Sequence, residues 1–146
     1  MMNINVKKLN DKAVIPTRGS EYAAGYDLYA CIDNSVIIKA GETVKIPSGL
    51  AFEIPKGIAG FVFARSGLAT KQGLALANAV GVCDSDYRGD YTTALHNYSN
   101  QDRIIEPKER ISQVVFMPYL NANLIESNEL SDTKRGAGGF GSTGIK

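Results

Sequence analysis

The chain is poor in the residues that would support several common classes of chemistry. It has a single histidine, His96, two cysteines, Cys31 and Cys83, and no tryptophan in 146 residues. Two cysteines do not make a disulfide framework; they fit a reducing compartment. No stretch approaches the ~20 consecutive apolar residues of a membrane span. The opening MMNINVKKLNDKA has no apolar core of a secretory signal, so a non-secreted chain is expected, cytoplasmic or, in a eukaryote, nuclear. Asn97-Tyr98-Ser99 is a formal glycosylation sequon, expected to stay unmodified without export. Charge of either sign is not in excess: the net charge is +1, which argues against a nucleic-acid coat while leaving room for a local basic pocket. There are no internal repeats and no long segment of helical periodicity.

What is present is a series of short apolar segments punctuated by Gly and Pro. Val36–Ile38, Thr43–Pro47, Leu50–Ile54, Gly60–Ala64 and Ile111–Pro118 read as strands, with turns at Ala40-Gly41, Lys56-Gly57 and Pro107-Lys108. Ser66–Gln72 reads as one short helix, capped by Ser66 and ended by Gly73. Tyr91–Tyr98 alternates cleanly, with Tyr91, Thr93, Leu95 and Asn97 on one face. Together with the apolar run Leu74–Val82 it suggests a hairpin whose connection holds three aspartates. The pattern is all-β, a barrel or jelly roll rather than a βαβ sheet. From Ser127 onward, SNELSDTKRGAGGFGSTGIK has almost no core-forming residues and many glycines. It reads as an arm that orders only on something else. The expected division is therefore a β domain over 1–126 and an arm over 127–146.

Some motifs match only formally. Gly136–Gly141 spells G-x-G-x-x-G but neither follows a strand nor leaves room for a βαβ unit. Gly139–Ile145 misses a phosphate-binding loop because Ile145 stands where lysine must be. Asp84, Asp86 and Asp90 imitate a calcium loop, but Arg88 and Leu95 occupy its fifth and twelfth positions.

Three segments are open to a functional reading. Arg65-Ser66-Gly67, at a strand end before a helix, suits an anion or is a helix cap with a surface arginine. Asp84 is either a turn aspartate bonded to local backbone or a general base that holds a water in line. The loop Gly138–Gly144 is either an idle tail or a clamp that closes backbone N–H groups over phosphates while Phe140 stacks on a base. His96 reads as structural and Cys83 as packing.

Read together and in order, five segments closely resemble the trimeric dUTPase family. They are Ala24–Leu28, Ala64–Leu68, Gly81–Gly89, Arg110–Gln113 and Arg135–Gly144. The resemblance implies a jelly-roll-like β-barrel of the β-clip type with one short helix, and a homotrimer whose arm closes over a neighbour's nucleotide. It implies hydrolysis of dUTP to dUMP and pyrophosphate with Mg²⁺, which keeps uracil out of DNA and supplies dUMP for thymidylate synthesis. By that resemblance Asp84 activates the water and contacts the sugar. Tyr87 packs under the deoxyribose. Asn78, with backbone of Gly81, Val82 and the strand near Thr92, reads uracil. Arg65, Ser66 and Gly67 hold the phosphates, and Gln113 reaches phosphate and water. Arg135 pairs with the terminal phosphate, Phe140 stacks on uracil, and Gly141 and Ser142 join it in binding substrate. Asp27 supports the metal through water, the ion riding mainly on the triphosphate. No nucleic-acid or membrane partner is implied. Two departures from the family pattern stand out: Ala64 precedes Arg65 where many relatives have proline, and Asp90 follows Gly89. Neither position carries chemistry in this assignment. A dCTP deaminase shares the fold but would need a glutamate in the third segment. A nucleotide-sensing interaction protein would carry the same site residues.

Overall fold

The computed structural model describes residues 2–140 and 142. Among them the chain is built from strands and one short helix. In order these are β1 (Asn5–Lys8), β2 (Thr17–Arg18), β3 (Tyr26–Tyr29), β4 (Val36–Ile38), β5 (Thr43–Ile46), β6 (Leu50–Glu53) and β7 (Ile58–Phe63). Then come α1 (Ser66–Gln72), β8 (Leu74–Leu76), β9 (Gly81–Cys83), β10 (Thr93–Asn97), β11 (Arg103–Ile105) and β12 (Arg110–Pro118). Each strand expected from the apolar punctuation forms, and Gly41, Gly57 and Lys108 take the positive φ values (76°, 87° and 62°) that their turns need. Among the described residues no helix is long and apolar enough to cross a membrane.

The strands fall into four sheets, and none of them closes on itself. The largest runs β2-β3-β12-β7-β9; a second runs β5-β10-β8; β1 pairs with β6 and β11 with β4. β2 and β9 remain as open edges of the largest sheet, so the expected barrel is instead a packing of separate sheets. Long β12 organises it, pairing antiparallel with β3 on one side and β7 on the other. That places Gln113 opposite both Asp27 and Phe63.

Two further expectations are corrected. The segment Leu74–Val82 is not one arm of a single hairpin. β8 pairs with β10, whereas β9 pairs with β7 in the other sheet. The switch occurs at Ala79, which takes a left-handed φ of 60° inside a tight turn in which Val80 N–H donates to the Asn78 carbonyl. Ser66 does not cap α1 either. Arg65 is the N-cap, with extended backbone (φ −84°, ψ 131°) and no side-chain cap. Its guanidinium is engaged elsewhere. Gly73 does end the helix, in the left-handed conformation with φ 69°.

Two clusters make the core. Leu28, Leu50, Phe52, Val62, Leu76, Tyr91 and Val114 form one; Ile38, Ile46, Leu68, Leu74, Leu95, Ile105 and Ile111 form the other. The alternation read in Tyr91–Tyr98 holds. Thr93, Leu95 and Asn97 are buried, and Thr92, Ala94 and His96 face outward. The buried polar groups are paired, Thr93 with Ser112 at 2.7 Å and Asn97 Nδ2 with the Ile38 carbonyl at 2.9 Å. Asn97 is fully buried, which closes the sequon to modification. After Pro118 no described residue lies in a helix or strand, and Leu120, Leu124, Ile125 and Leu130 are exposed.

Candidate nucleotide site

The residues expected to contact the base and sugar converge on one cleft of about 490 Å³, lined by Asn78, Gly81, Val82, Asp84, Tyr87 and Thr92. The cleft exists because the chain changes sheets at Ala79. β9 and β7 supply one wall, with Val62 and Cys83; β8, β10 and β5 supply the other, with Leu76, Ala94 and Lys45.

The loop from Asp84 to Asp90 is braced from within and from behind. Arg88 Nη1 donates to the carbonyls of Ser85 (2.7 Å) and Tyr87 (3.1 Å). The Tyr87 hydroxyl donates to the Asp90 carbonyl at 3.1 Å. The Asp90 carboxylate accepts from the Ser48 N–H and hydroxyl and from the Gly49 N–H, at 3.0–3.2 Å. Asp90 is thus a fastener between loop and body, and Arg88 a strut. Sequence reasoning missed both: the Asp90 partners are some forty residues away in the chain, and the Arg88 contacts, though local, go to backbone carbonyls that no residue type announces. The Tyr87 ring is left half-exposed over Tyr91, with centroids 6.1 Å apart. A flat ring held at a cleft edge is a platform for a sugar. Asp84 is exposed, and its carboxylate accepts no hydrogen bond among the described residues. Its acceptor positions are therefore open to a ligand or water. Burial pushes the Cys83 thiol above its ordinary value, so it stays protonated near neutral pH and is a poor nucleophile.

A second group forms on the largest sheet, around Asp27. The Asp27 carboxylate accepts from Arg65 Nε at 2.9 Å and Arg110 Nη1 at 3.2 Å, and it is 13% exposed. Arg65 Nη1 also donates to the Arg110 carbonyl at 3.2 Å. Gln113 Nε2 donates to the Ala64 carbonyl at 3.1 Å. Gly25 lies against it: a Cβ there would stand 2.4 Å from Gln113 Oε1, so any larger residue forces the carboxamide to move. Asp27, Arg65, Arg110, Gln113 and the exposed start of α1 at Ser66 and Gly67 thus make a polar face of two guanidiniums around one carboxylate, with one carboxamide and one hydroxyl. Such a donor-rich face suits phosphate. Arg110 was not assigned a role from sequence; its contact with Asp27 across the strand pair could not be read from spacing alone.

These two groups are not joined within one chain. None of Arg65, Ser66, Gly67, Gln113 or Arg135 lines the cleft. The described residues after Ser127 make no hydrogen bond or ion pair to either group. Among the described residues, Arg135 Nε donates to its own segment at the Gly138 carbonyl (2.8 Å), the Ser142 N–H donates to the Gly139 carbonyl, and Phe140 is fully exposed. Gly141 lies outside the described residues. No cluster of three His, Cys, Asp or Glu side chains that could hold a metal occurs among the described residues.

Comparisons with known proteins point to one family. A protein-family model described as dUTPase matches residues 11–144. The deoxyuridine 5'-triphosphate nucleotidohydrolase of Nautilia profundicola is 50% identical over 98% of this chain and 99% of its own. The protein of the same name from Desulfitobacterium hafniense is 49% identical over 92% of this chain and 91% of its own. Among solved structures, the Staphylococcus bacteriophage 80alpha dUTPase with dUpNHpp superposes with a TM-score of 0.90 at 26% identity, covering 99% of this chain and 100% of that one. With a family model matched over residues 11–144 and relatives about half identical over nearly their whole length, the chain belongs to the dUTPase family.

Proposed function

We propose that the chain hydrolyses dUTP to dUMP and pyrophosphate, and that water held by Asp84 attacks the α-phosphorus. The observation that carries this reading is the cleft, where Asp84 stands with free acceptor positions beside the Tyr87 platform and the base-reading groups Asn78, Gly81, Val82 and Thr92. The curated relatives bear the corresponding name, and the phage 80alpha enzyme is described with a dUTP analogue.

The steps follow from the groups. A uracil between β9 and the strand at Thr92 meets backbone donors and acceptors that a cytosine would leave mispaired, and that mispairing is the strongest discrimination a site has. A ribose 2′-hydroxyl would press on the Tyr87 ring. Asp84 accepts the proton of the attacking water and fixes its direction. Gln113 donates to phosphate and orients the same water, while Arg65, Ser66 and the Gly67 backbone hold the phosphate chain. Since the cleft and the phosphate-binding face are separate in one chain, the complete site draws on more than one copy, in a homotrimer. The arm over 127–146, with Arg135, Phe140, Gly141 and Ser142, closes over the neighbour's nucleotide and excludes bulk water. The reaction keeps uracil out of DNA and supplies dUMP.

Mg²⁺ fits this chemistry as a passenger of the substrate. The protein offers no cage among the described residues, and triphosphate oxygens are its usual hosts. Bound there, it would supply charge neutralisation on the phosphates. Asp27 keeps acceptor capacity on both oxygens beyond its two guanidinium contacts, enough for a water in the outer sphere of the ion. A deaminase reading finds no support, because no glutamate lines the cleft.

The test is pyrophosphate release from dUTP, dCTP, dTTP and UTP with Mg²⁺. Release from dUTP alone is expected; none from dUTP would overturn the assignment. A second outcome concerns Gly25. Gly25→Ala places a methyl against Gln113 and displaces its carboxamide. Steady-state kinetics on dUTP should show kcat reduced by about 10- to 100-fold, with melting temperature little changed. An unchanged kcat would remove Gln113 from the machinery.

A further inference from the structure

One group in the cleft has no assigned role. Lys45 lies on β5, directly opposite Ala94 of β10. Directly opposed residues in an antiparallel pair share a face of the sheet. On the next strand the Ala77 N–H donates to the Ala94 carbonyl at 2.9 Å, so Lys45, Ala94 and Ala77 form one row across β5, β10 and the end of β8. Asn78 follows Ala77, and Thr92 lies two residues before Ala94 on that same face. Because Ala94 and Ala77 are short, nothing in this row covers the lysine stem. Lys45 is exposed, lines the cleft, and makes no ion pair or hydrogen bond among the described residues. The nearby carboxylates are accounted for. Asp90 is held by Ser48 and Gly49, and Asp84 follows the end of β9 on the other wall.

We infer that Lys45 is a specificity-determining residue that donates to a carbonyl of the pyrimidine at the base end of the cleft and so favours uracil over cytosine. An ammonium has three donors and no acceptor. Uracil offers carbonyl oxygens at both its 2- and 4-positions, whereas cytosine replaces the 4-carbonyl with an amino group that is itself a donor. A cation facing that position attracts the first and repels the second. Discrimination of this kind needs no extra contact with the sugar or phosphates. The inference rests on reading the cleft as a deoxyuridine nucleotide site, and its test is arranged to separate the two.

Binding of dUpNHpp and its cytosine counterpart is measured by titration calorimetry on the full chain, for wild type, Lys45→Met and Lys45→Arg. Lys45→Met should weaken the uracil compound about tenfold and leave the cytosine compound unchanged or slightly tighter. Lys45→Arg should keep most of the preference. Equal weakening of both compounds would show a general pull on the phosphates and overturn the inference, as would no weakening at all, or a wild type that binds neither compound. A wild type that shows the Lys45-dependent preference but releases no pyrophosphate from dUTP would keep the inference and sink the hydrolase reading.

Discussion

Asp84→Asn should abolish most dUTP hydrolysis while leaving the protein folded and able to bind. The carboxylate accepts no hydrogen bond among the described residues, so its replacement by an isosteric amide breaks no structural contact. The loop around it is held by Arg88, by the Tyr87 hydroxyl and by Asp90, not by Asp84's side chain. Melting temperature should therefore move little, as for an exposed polar substitution. Loss of a general base costs about 10²- to 10⁴-fold in kcat, and the upper part of that range is expected, because an amide turns one acceptor into a donor toward the water. The affinity for dUpNHpp should hold within severalfold, since the base and phosphates are gripped elsewhere. The informative pair of measurements is single-turnover hydrolysis and analogue binding. A variant that keeps a tenth of wild-type kcat would move the base to another residue. One that loses binding in parallel with turnover would make Asp84 a sugar contact first.

That prediction was reachable from the sequence, and the reason is instructive. Asp84 sits in a contiguous segment, Gly81–Gly89, that also carries Tyr87, Gly81 and Val82 of the cleft, so part of the lining can be read along the chain. The strands were legible for a similar reason: each short apolar run is bounded by a turn residue such as Gly41, Gly57 or Lys108, whose local conformation is nearly independent of the rest of the fold. The failures are where a through-space partner decides. The run Leu74–Val82 is apolar on both sides of Ala79, so nothing in its hydrophobicity marks the move from one sheet to another. Ser66 has the right residue type for a helix cap, but the chain enters α1 one residue earlier, at Arg65, whose guanidinium is drawn to Asp27. The fastener Asp90 finds Ser48 and Gly49, and Lys45 finds the cleft, through β10, over separations that no local pattern reports.

The second large effect concerns Asp27, whose contacts favour one of two roles. If it serves mainly to support the metal through water, loss of its charge should weaken Mg²⁺ dependence, and raising the Mg²⁺ concentration should restore turnover. If it serves mainly to aim Arg65, extra metal should do nothing. The geometry favours the second role. Each carboxylate oxygen already accepts from a guanidinium, at 2.9 Å from Arg65 and 3.2 Å from Arg110, and at 13% exposure the carboxylate is mostly out of water, which leaves little room for a hydrated ion beside it. Asp27→Asn keeps the shape but replaces two charge-assisted bonds with one neutral acceptor and one misplaced donor. It leaves two cations side by side on the phosphate face. The cost in stability should be about 2 kcal/mol, below the figure for a fully buried pair because Arg65 and Arg110 remain partly hydrated. Turnover should fall about 10²-fold, since a displacement of about 1 Å at a positioning group is enough for that. Kinetics over a series of Mg²⁺ concentrations decide the matter: a defect that persists at saturating metal makes Asp27 the tether of Arg65. Full recovery there would return it to the metal, with the two arginines as bystanders that merely hold the carboxylate in place.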